Sequence, residues 1–316
     1  MAVYLGAGAA VGFGAESTWG TAVARTRWER SVSTGIRRVR SREVVADLAG
    51  PGGGSANYLH TFTSRDRVRG TIGFNGHMNS YGLTMLLKYA MGSVTDGGAG
   101  PYTHTYTLAL SLPTGLTIEQ ISANYGEVFE GCKVNRLTLT HEVGRPMMVE
   151  ADIIGETSGG ATSAGTASFV STYDYVQGHH GGSFTWNSVA YTIRRMQITI
   201  DNKLIERDAI GTLNSLEPKR GEKTDILCSL DIERDSDALQ TAYLADTAST
   251  TATMTFTSGS NSIAYTLHNS QIFDYDPPAS ISGIGPLVQR LTLRGLSDGT
   301  NGGLGVVVTN ANSTAV

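Results

Sequence analysis

The second half of the 316-residue chain repeats four short patterns of the first half in the same order. Their offsets are close to half the chain length, and both members of each match have a similar local context. A series in register is much harder to obtain by chance than one match, so the sequence predicts two tandem copies of one structural unit. The matches are residues 69–70 with 220–221, 89–90 with 243–244, 106–108 with 265–267, and 134–139 with 288–293.

Apolar and polar residues alternate through much of the chain, as in residues 147–153 and 226–232. Alternation with period two is typical of strands that bury one face. Helical spacing occurs in residues 82–91, between a capping Ser80 or Asn79 and a terminating Gly92, and again in residues 237–245. The sequence predicts an all-β fold of two β-sandwich or half-barrel units, each with one short flanking α-helix.

Glycine-rich segments suggest the boundaries of the two units. The first unit is expected over residues 1–156, with a long Gly-rich loop at 39–64, because no packed element tolerates the glycine density of residues 50–54. Residues 157–180 are rich in Gly, Ser and Thr and predict a linker. The second unit then spans residues 181–316.

Composition and charge narrow the class of protein. The formal net charge is −4, which argues against a general nucleic-acid binder, although residues 1–70 are basic and the remainder is acidic. Ends of opposite charge suit head-to-tail self-association. Cys132 and Cys228 are interpreted as small buried hydrophobes in a reducing compartment. We expect no signal peptide and no membrane anchor, since no apolar run approaches the roughly 20 residues of a membrane-spanning helix.

The sequence contains no complete motif for catalysis, a cofactor or a metal, so it predicts a protein that is not an enzyme and holds neither cofactor nor metal. Residues 6–14 resemble a dinucleotide loop but lack a βαβ context. His179 and His180 have no third ligand nearby, and Asp274 and Asp276 before two prolines predict a turn. A rival interpretation is a β-sandwich binding module, either a virion decoration protein or a carbohydrate-binding protein. Its groove would be lined by Tyr173, Tyr175 and Trp186.

The segment Gly14-Ala15-Glu16-Ser17-Thr18-Trp19-Gly20-Thr21 is similar to the G-x-E-x-x-x-G-T opening of tail tube proteins of long-tailed bacteriophages. Further stretches of similarity follow in order along nearly the whole chain. The chain therefore resembles the siphophage major tail tube protein family, with a duplicated tail-tube fold. These stretches are residues 90–93, 102–108, 113–119, 131–134, 201–204, 217–221, 255–258 and 291–297.

The resemblance implies a structural virion protein of the phage tail, assembled in the host cytoplasm. Copies would self-assemble into stacked rings, either homotrimeric pseudo-hexamers or hexamers, that form the hollow tail tube. The tube would hold the tape measure protein, join the tail terminator and tail tip proteins, and later act as the conduit for DNA ejection. DNA would pass through the lumen without specific binding.

The resemblance also implies that the loop after the first strand of each unit, residues 39–64 and residues 202–219, reaches the adjacent ring. The first loop follows a basic cluster, which we interpret as a contact patch for an acidic surface, such as another copy of the chain. The residues predicted for this inter-ring contact are Arg37, Arg38, Arg40, Arg42, Glu217, Lys219 and Arg220.

Overall fold

A computed structural model gives the structure of most of the chain. The residues that the structure describes are 9–45, 60–122, 125–163, 165–171, 173–182, 184–247, 250–277 and 287–315. Within these ranges β-strands dominate, and the helices are two short α-helices and one 3₁₀ turn. The prediction of an all-β fold is confirmed.

The elements of the first half run to residue 163. They are β1 (Ala10–Glu16), β2 (Arg27–Arg30), β3 (Ser33–Thr34), β4 (Arg37–Val45), β5 (His60–Asn75), α1 (Tyr81–Met91), β6 (Gly92–Gly97), β7 (Tyr102–Leu108), β8 (Gly115–Ser122), β9 (Tyr125–Glu142), β10 (Met148–Gly155) and β11 (Thr157–Ser163).

The elements of the second half begin with the 3₁₀ turn Gly178–His180. They continue as β12 (Phe184–Trp186), β13 (Val189–Tyr191), β14 (Ile193–Asp201), β15 (Leu204–Arg207), β16 (Leu216–Arg220), β17 (Asp225–Glu233), α2 (Ala238–Leu244), β18 (Thr250–Ser258), β19 (Asn261–Asp276), β20 (Val288–Leu296) and β21 (Gly305–Asn310).

The main sheet is antiparallel throughout and runs in the order β4–β5–β10–β9–β14–β17–β20–β19. The halves meet where the C-terminal part of β9 pairs with β14, in a register that sets Thr138 opposite Thr199. The two halves therefore share one continuous sheet.

The long strands β9 and β19 each pass from the main sheet into a second layer. The N-terminal part of β9 belongs to a layer in the order β2–β1–β8–β9–β11. The N-terminal part of β19 belongs to a layer in the order β13–β12–β18–β19–β21–β7–β6. Each half is thus built from two layers that one long strand connects.

The order of strand pairing is the same in both halves. In the first half the pairing order is β2–β1–β8–β9; β9 then pairs with both β11 and β10, and β10 continues to β5 and β4. In the second half the order is β13–β12–β18–β19; β19 then pairs with both β21 and β20, and β20 continues to β17 and β14. The β6–β7 hairpin has no counterpart after α2. The number of residues that separates corresponding strands is therefore smaller after the helix than before it. Two predicted sequence matches therefore lie on strands that do not correspond: β9 with β20, and β7 with β19. Tandem duplication stays a prediction.

Alternation along the central strands builds the core. Leu137, Leu139, Ile198 and Ile200 are buried, whereas the residues between them are partly exposed on the other face. Buried side chains of both halves form one continuous apolar cluster. The core therefore does not divide at the boundary between the predicted units.

Both helices lie where the sequence predicts them. The Ser80 hydroxyl caps α1 by accepting a hydrogen bond of 3.0 Å from the Leu83 amide. Gly92 ends the helix with φ of 101°, a conformation that glycine adopts without steric penalty.

Four predicted non-strand segments are partly or wholly strand, and one of them is the predicted loop 202–219, which contains β15 and most of β16. In the predicted loop 39–64, residues 39–45 and 60–64 extend β4 and β5, and residues 46–59 lie outside the described residues. The predicted linker 157–180 begins as β11, because small polar residues pair through backbone hydrogen bonds without contributing apolar side chains. Asp274 and Asp276 lie on β19 rather than in a turn.

Candidate assembly interface

The main sheet has two open edges within the described residues. Strand β4 pairs only with β5, and residues 271–276 of β19 pair only with β20. Unpaired backbone groups at a sheet edge are a ready template for another strand. These two edges are the candidate interface between copies of the chain.

The β4 edge is basic because four of its nine residues are arginine. Arg38 and Arg40 point to the side of the strand where Asp66 of β5 is fully buried. The Arg38 Nε donates to Asp66 Oδ1 at 2.7 Å, and the Arg40 Nε donates to Asp66 Oδ2 at 2.9 Å. One buried carboxylate therefore holds two arginines of the edge strand in position.

The ionisation of Asp66 depends on these two arginines. Burial by itself raises the pKa of this carboxyl, but the hydrogen bonds and charges of Arg38 and Arg40 outweigh burial and hold the pKa below its ordinary value of 3.8. Asp66 is therefore charged at neutral pH, and its ion pairs stabilise the edge strand.

The β15–β16 hairpin docks on β5 through ion pairs. Glu206 accepts hydrogen bonds from Arg67 and from Arg69, where the Nη2–Oε2 distance is 2.6 Å. The Asp66 amide donates to the Leu213 carbonyl at 3.1 Å. The hairpin of the second half thus covers the outer part of the first half's β5.

A second polar cluster lies where the base of this hairpin meets β9. The Lys133 ammonium, almost wholly buried, donates to Glu217 Oε1 at 2.6 Å, and Lys219 donates to Glu217 Oε2 at 2.7 Å. Burial raises the pKa of Glu217, but the two lysines more than offset it, so the net pKa lies below its ordinary value. Glu217 is therefore a charged internal partner rather than a free surface acid.

Arg220 and Asn202 link β14 to the first half. The Asn202 side-chain amide donates to the carbonyls of Ala90 at 2.9 Å and Val134 at 3.1 Å. The Arg220 guanidinium donates to Asn202 Oδ1 at 2.8 Å and also to the carbonyl of Ala109. This network attaches the end of the hairpin to α1 and β9.

The seven residues predicted for an inter-ring contact therefore fall into two groups. Arg37 and Arg42 are exposed and make no ion pair within the described residues. The other five bond within the chain, and their partners Asp66, Lys133 and Asn202 are not among the residues predicted from the sequence. The inter-ring role of the seven stays a prediction. The five are Arg38, Arg40, Glu217, Lys219 and Arg220.

The opposite edge of the sheet, on β19, is acidic. Asp274 and Asp276 are exposed. Phe273, at the point where the register between β19 and β20 shifts, is 57% exposed. Sequence reasoning missed this edge because two aspartates before two prolines are typical of a turn. The basic β4 edge and the acidic β19 edge are complementary in charge.

The open face of the main sheet is polar, and two arginines of β20 bond there to carboxylates of the neighbouring β17. The Nε atoms of Arg290 and Arg294 lie 3.0 Å and 2.9 Å from Oδ1 of Asp231 and of Asp225. Glu150 adds an exposed carboxylate with no ion pair among the described residues. Around β17 and β20 this face therefore offers few unpaired positive charges to a polyanion. A third pair joins Arg136 to Asp201 at 3.3 Å.

Glu16 of the G-x-E-x-x-x-G-T segment is buried and structural. It accepts hydrogen bonds from the amides of Gly20 at 3.1 Å and Gly131 at 2.9 Å, and from the Thr117 hydroxyl at 2.9 Å. Gly20 has φ of 69°, a conformation that favours glycine. The segment is thus a loop closed on its own carboxylate and anchored to β8 and β9.

Glu29, His77 and Ser80 superficially suggest an acid–histidine–serine trio. However, the Ser80 hydroxyl donates to Glu29 at 2.7 Å rather than to His77, and it also caps α1. Glu29 further accepts from the Gly82 amide at 2.9 Å. The trio therefore fixes the start of a helix and leaves no activated hydroxyl.

The aromatic residues predicted for a binding groove do not form one. Trp186 is buried, and its indole nitrogen donates to the Ser270 hydroxyl at 3.1 Å. Tyr173 and Tyr175 pack on each other and on His77.

Among the described residues, no group of three or more His, Cys, Asp or Glu side chains is arranged to hold a metal ion. None of the helices in those ranges has the length and hydropathy to cross a bilayer.

Open, oppositely charged sheet edges, together with polar side chains engaged in structural contacts, define a β-structured building block. The sequence matches the family described as "Phage tail tube protein" over residues 6–295, and the chain belongs to that family. It is therefore a structural component of the phage tail, and the predicted resemblance is confirmed. No curated protein matches the chain.

Proposed function

We propose that copies of this chain join edge to edge into rings, and that the rings stack into the hollow tail tube of a long-tailed phage. The observation that carries this proposal is the eight-stranded sheet with two open edges: within the described residues, β4 pairs only with β5, and residues 271–276 of β19 pair only with β20. Closure of such a sheet into a ring satisfies every edge. Membership of the tail tube family supports the same assembly.

Charge on the two edges supports head-to-tail closure. Arg37 and Arg42 are exposed on one edge, and Asp274 and Asp276 are exposed on the other. Complementary edges favour a heterologous contact that repeats around a ring, and like edges repel.

The repeated order of strand pairing supports a ring of three chains. In the proposal, the chain is a tandem duplication in which each half contributes four strands to the ring wall, as one subunit of a hexamer would. The first unit then includes β11, which pairs with β9, so that residues 157–163 belong to it. Three chains give six such units, a pseudo-hexamer.

The open face of the main sheet is the proposed lumen wall. Arg290 and Arg294 on this face are paired with carboxylates, so DNA phosphates find few sites there at which to release counterions and bind. The tube would enclose the tape measure protein during assembly in the host cytoplasm and pass DNA at ejection. Tail terminator and tail tip proteins would close its two ends.

The test is the mass and shape of the assembled particle. We expect concentrated protein to form rings or tubes in negative-stain electron microscopy. The smallest ring should have three times the 33.4 kDa of one chain by light scattering. A ring of six chains would contradict the pseudo-hexamer, and a monomer at every concentration would contradict assembly itself.

A further inference from the structure

The chain contains one complete junction between its two four-stranded sets, namely the pairing of β9 with β14. In this junction Arg136 lies opposite Asp201, and Thr138 lies opposite Thr199. Arg136 and Asp201 also form an ion pair of 3.3 Å. One molecule therefore already contains the strand pairing that joins one group of four strands to the next.

The two long strands carry the same irregularity, which aligns them residue by residue. On β9 the register with β10 shifts around Asn135, which is left without a directly opposite partner. On β19 the register with β20 shifts around Phe273 in the same way. Counting three residues onward from each shift makes Asp276 the counterpart of Thr138.

Residues that lie opposite one another across each group of four strands also align β14 with β4, the strands that pair with β9 and, in the proposal, with β19. Thr199 lies opposite Leu227, and Leu227 lies opposite Arg294. Arg294 is one residue beyond the register shift on β20. Arg37 lies opposite Arg69, which lies opposite Ile154, one residue beyond the shift on the β10 side. Arg37 is therefore the counterpart of Thr199.

From this correspondence we propose that β19 of one copy pairs antiparallel with β4 of the next, in the register that sets Asp276 opposite Arg37. The inference rests on the proposed ring assembly and specifies its contact. The sense of the strands agrees, because β19 and β4 continue the antiparallel alternation of the sheet on either side.

The chemistry of the two side chains agrees with this register. Arg37 is exposed and makes no ion pair within the described residues. Asp276 lies opposite Arg290, whose guanidinium already bonds to Asp231. Directly opposite residues of unlike charge stabilise an antiparallel pair, whereas like charges destabilise it. Pairing would also cover Phe273, which is 57% exposed in the single chain.

Disulfide trapping tests the register. The variant Arg37→Cys/Asp276→Cys is compared with Arg37→Cys/Asp274→Cys, which moves one cysteine by two residues on the same face. Opposite residues have Cα atoms about 4.5–5.5 Å apart, and diagonal ones about 7–8 Å, whereas a disulfide needs less than about 7 Å. The native Cys132 and Cys228 are both buried, so they do not compete.

We expect the 37/276 variant to give a ladder of covalent oligomers on mild oxidation and the 37/274 variant to give little. Tubes that form normally but link through 37/274, or through neither pair, would overturn the register and leave the proposed function standing. Linked but open filaments would support the register and contradict the ring. Chains that neither link nor assemble would contradict both.

A charge exchange gives an independent readout that does not depend on oxidation. Arg37→Asp and Asp276→Arg should each raise the concentration needed for assembly about tenfold, since each replaces an attraction by a repulsion. The double variant should restore assembly to near the wild-type concentration. Equal impairment of the double variant would overturn the pair.

Discussion

At the residue scale, the histidine between the two halves shows how the shared core constrains protonation. His141 on β9 is buried, stacks on Phe256 at a centroid distance of 3.9 Å, and has its Nε2 3.1 Å from the Tyr265 hydroxyl. Burial lowers the pKa of His141 from 6.5 to about 3, so the imidazole is neutral in the folded chain.

This histidine makes the stability of the unassembled chain depend on pH. Below pH 6.5 the unfolded chain binds a proton at His141, but the folded chain does not bind one until the pH approaches 3. The free energy of unfolding should therefore fall by about 1 kcal/mol from His141 alone as the pH drops from neutrality by about one and a half units. Urea unfolding of His141→Gln should lack this part of the slope.

The matched control for this prediction is Tyr265→Phe. It removes the hydroxyl beside His141 but leaves the ring buried, so the protein should be less stable and keep the full pH slope. A slope that survives in His141→Gln and vanishes in Tyr265→Phe would show that burial of the imidazole is not its cause.

Local signals at the residue level predicted the caps of α1 but not the buried charges. Ser80 and Gly92 could be assigned to the ends of α1 because a cap depends on its own few neighbours. Asp66 could not, since the arginines that hold it belong to another strand and meet it only after β4 and β5 pair. The same limit hid Asn202 and Lys133.

At the element scale, apolar alternation predicted the strands that build the core and missed those that pair mainly through their backbone. Strand β17, with every second residue buried, was predicted. Alternation does not predict the short strands β15 and β16 or the glycine-containing β11, which lie in segments with the composition of a loop or linker. They have no apolar face to repeat, and their partners are remote in sequence.

The β15–β16 hairpin should loosen when its main ion pair is removed. Glu206 is only 11% exposed and bonds to Arg67 and Arg69, which hold its pKa below the ordinary value although burial raises it. Glu206→Gln should lower the free energy of unfolding by about 1–3 kcal/mol. Hydrogen exchange should accelerate in the hairpin amides before those of β17.

Glu222→Gln is the control for the hairpin. Glu222 is exposed, makes no ion pair among the described residues, and directly follows the hairpin. It should leave both stability and exchange close to wild type. Faster exchange throughout the sheet in Glu206→Gln would mean that Glu206 supports the whole fold rather than the docking of this hairpin.

At the scale of the whole molecule, the fold class was accessible from sequence, but the order of strand pairing was not. An alignment of the halves with the same residue offset throughout matches β9 with β20. The sequence pattern does not indicate that the β6–β7 hairpin lacks a counterpart in the second half. The order of strand pairing, rather than sequence similarity, identifies which strands correspond. It also reveals which two edges of the sheet remain open within the described residues.

The proposed lumen makes a final prediction about DNA. Replacing Asp225 and Asp231 with Asn would release Arg294 and Arg290 from their ion pairs on the open face. Tubes of this double variant should retain a short labelled DNA in sedimentation at low salt and lose it as salt rises, because phosphate binding releases counterions. Wild-type tubes should retain little at any salt concentration.

A control variant that loses the same charge at other positions shows whether DNA retention depends on the open face or on net charge. Asp235 and Glu222 are exposed acids outside the paired strands of the main sheet. Asp235→Asn/Glu222→Gln tubes should therefore behave as wild type. Equal retention by both variants would mean that net charge controls DNA binding. No retention by the Asp225/Asp231 variant, in tubes of normal appearance, would mean that this face does not line the channel, since two unpaired arginines on each chain would then meet no phosphate.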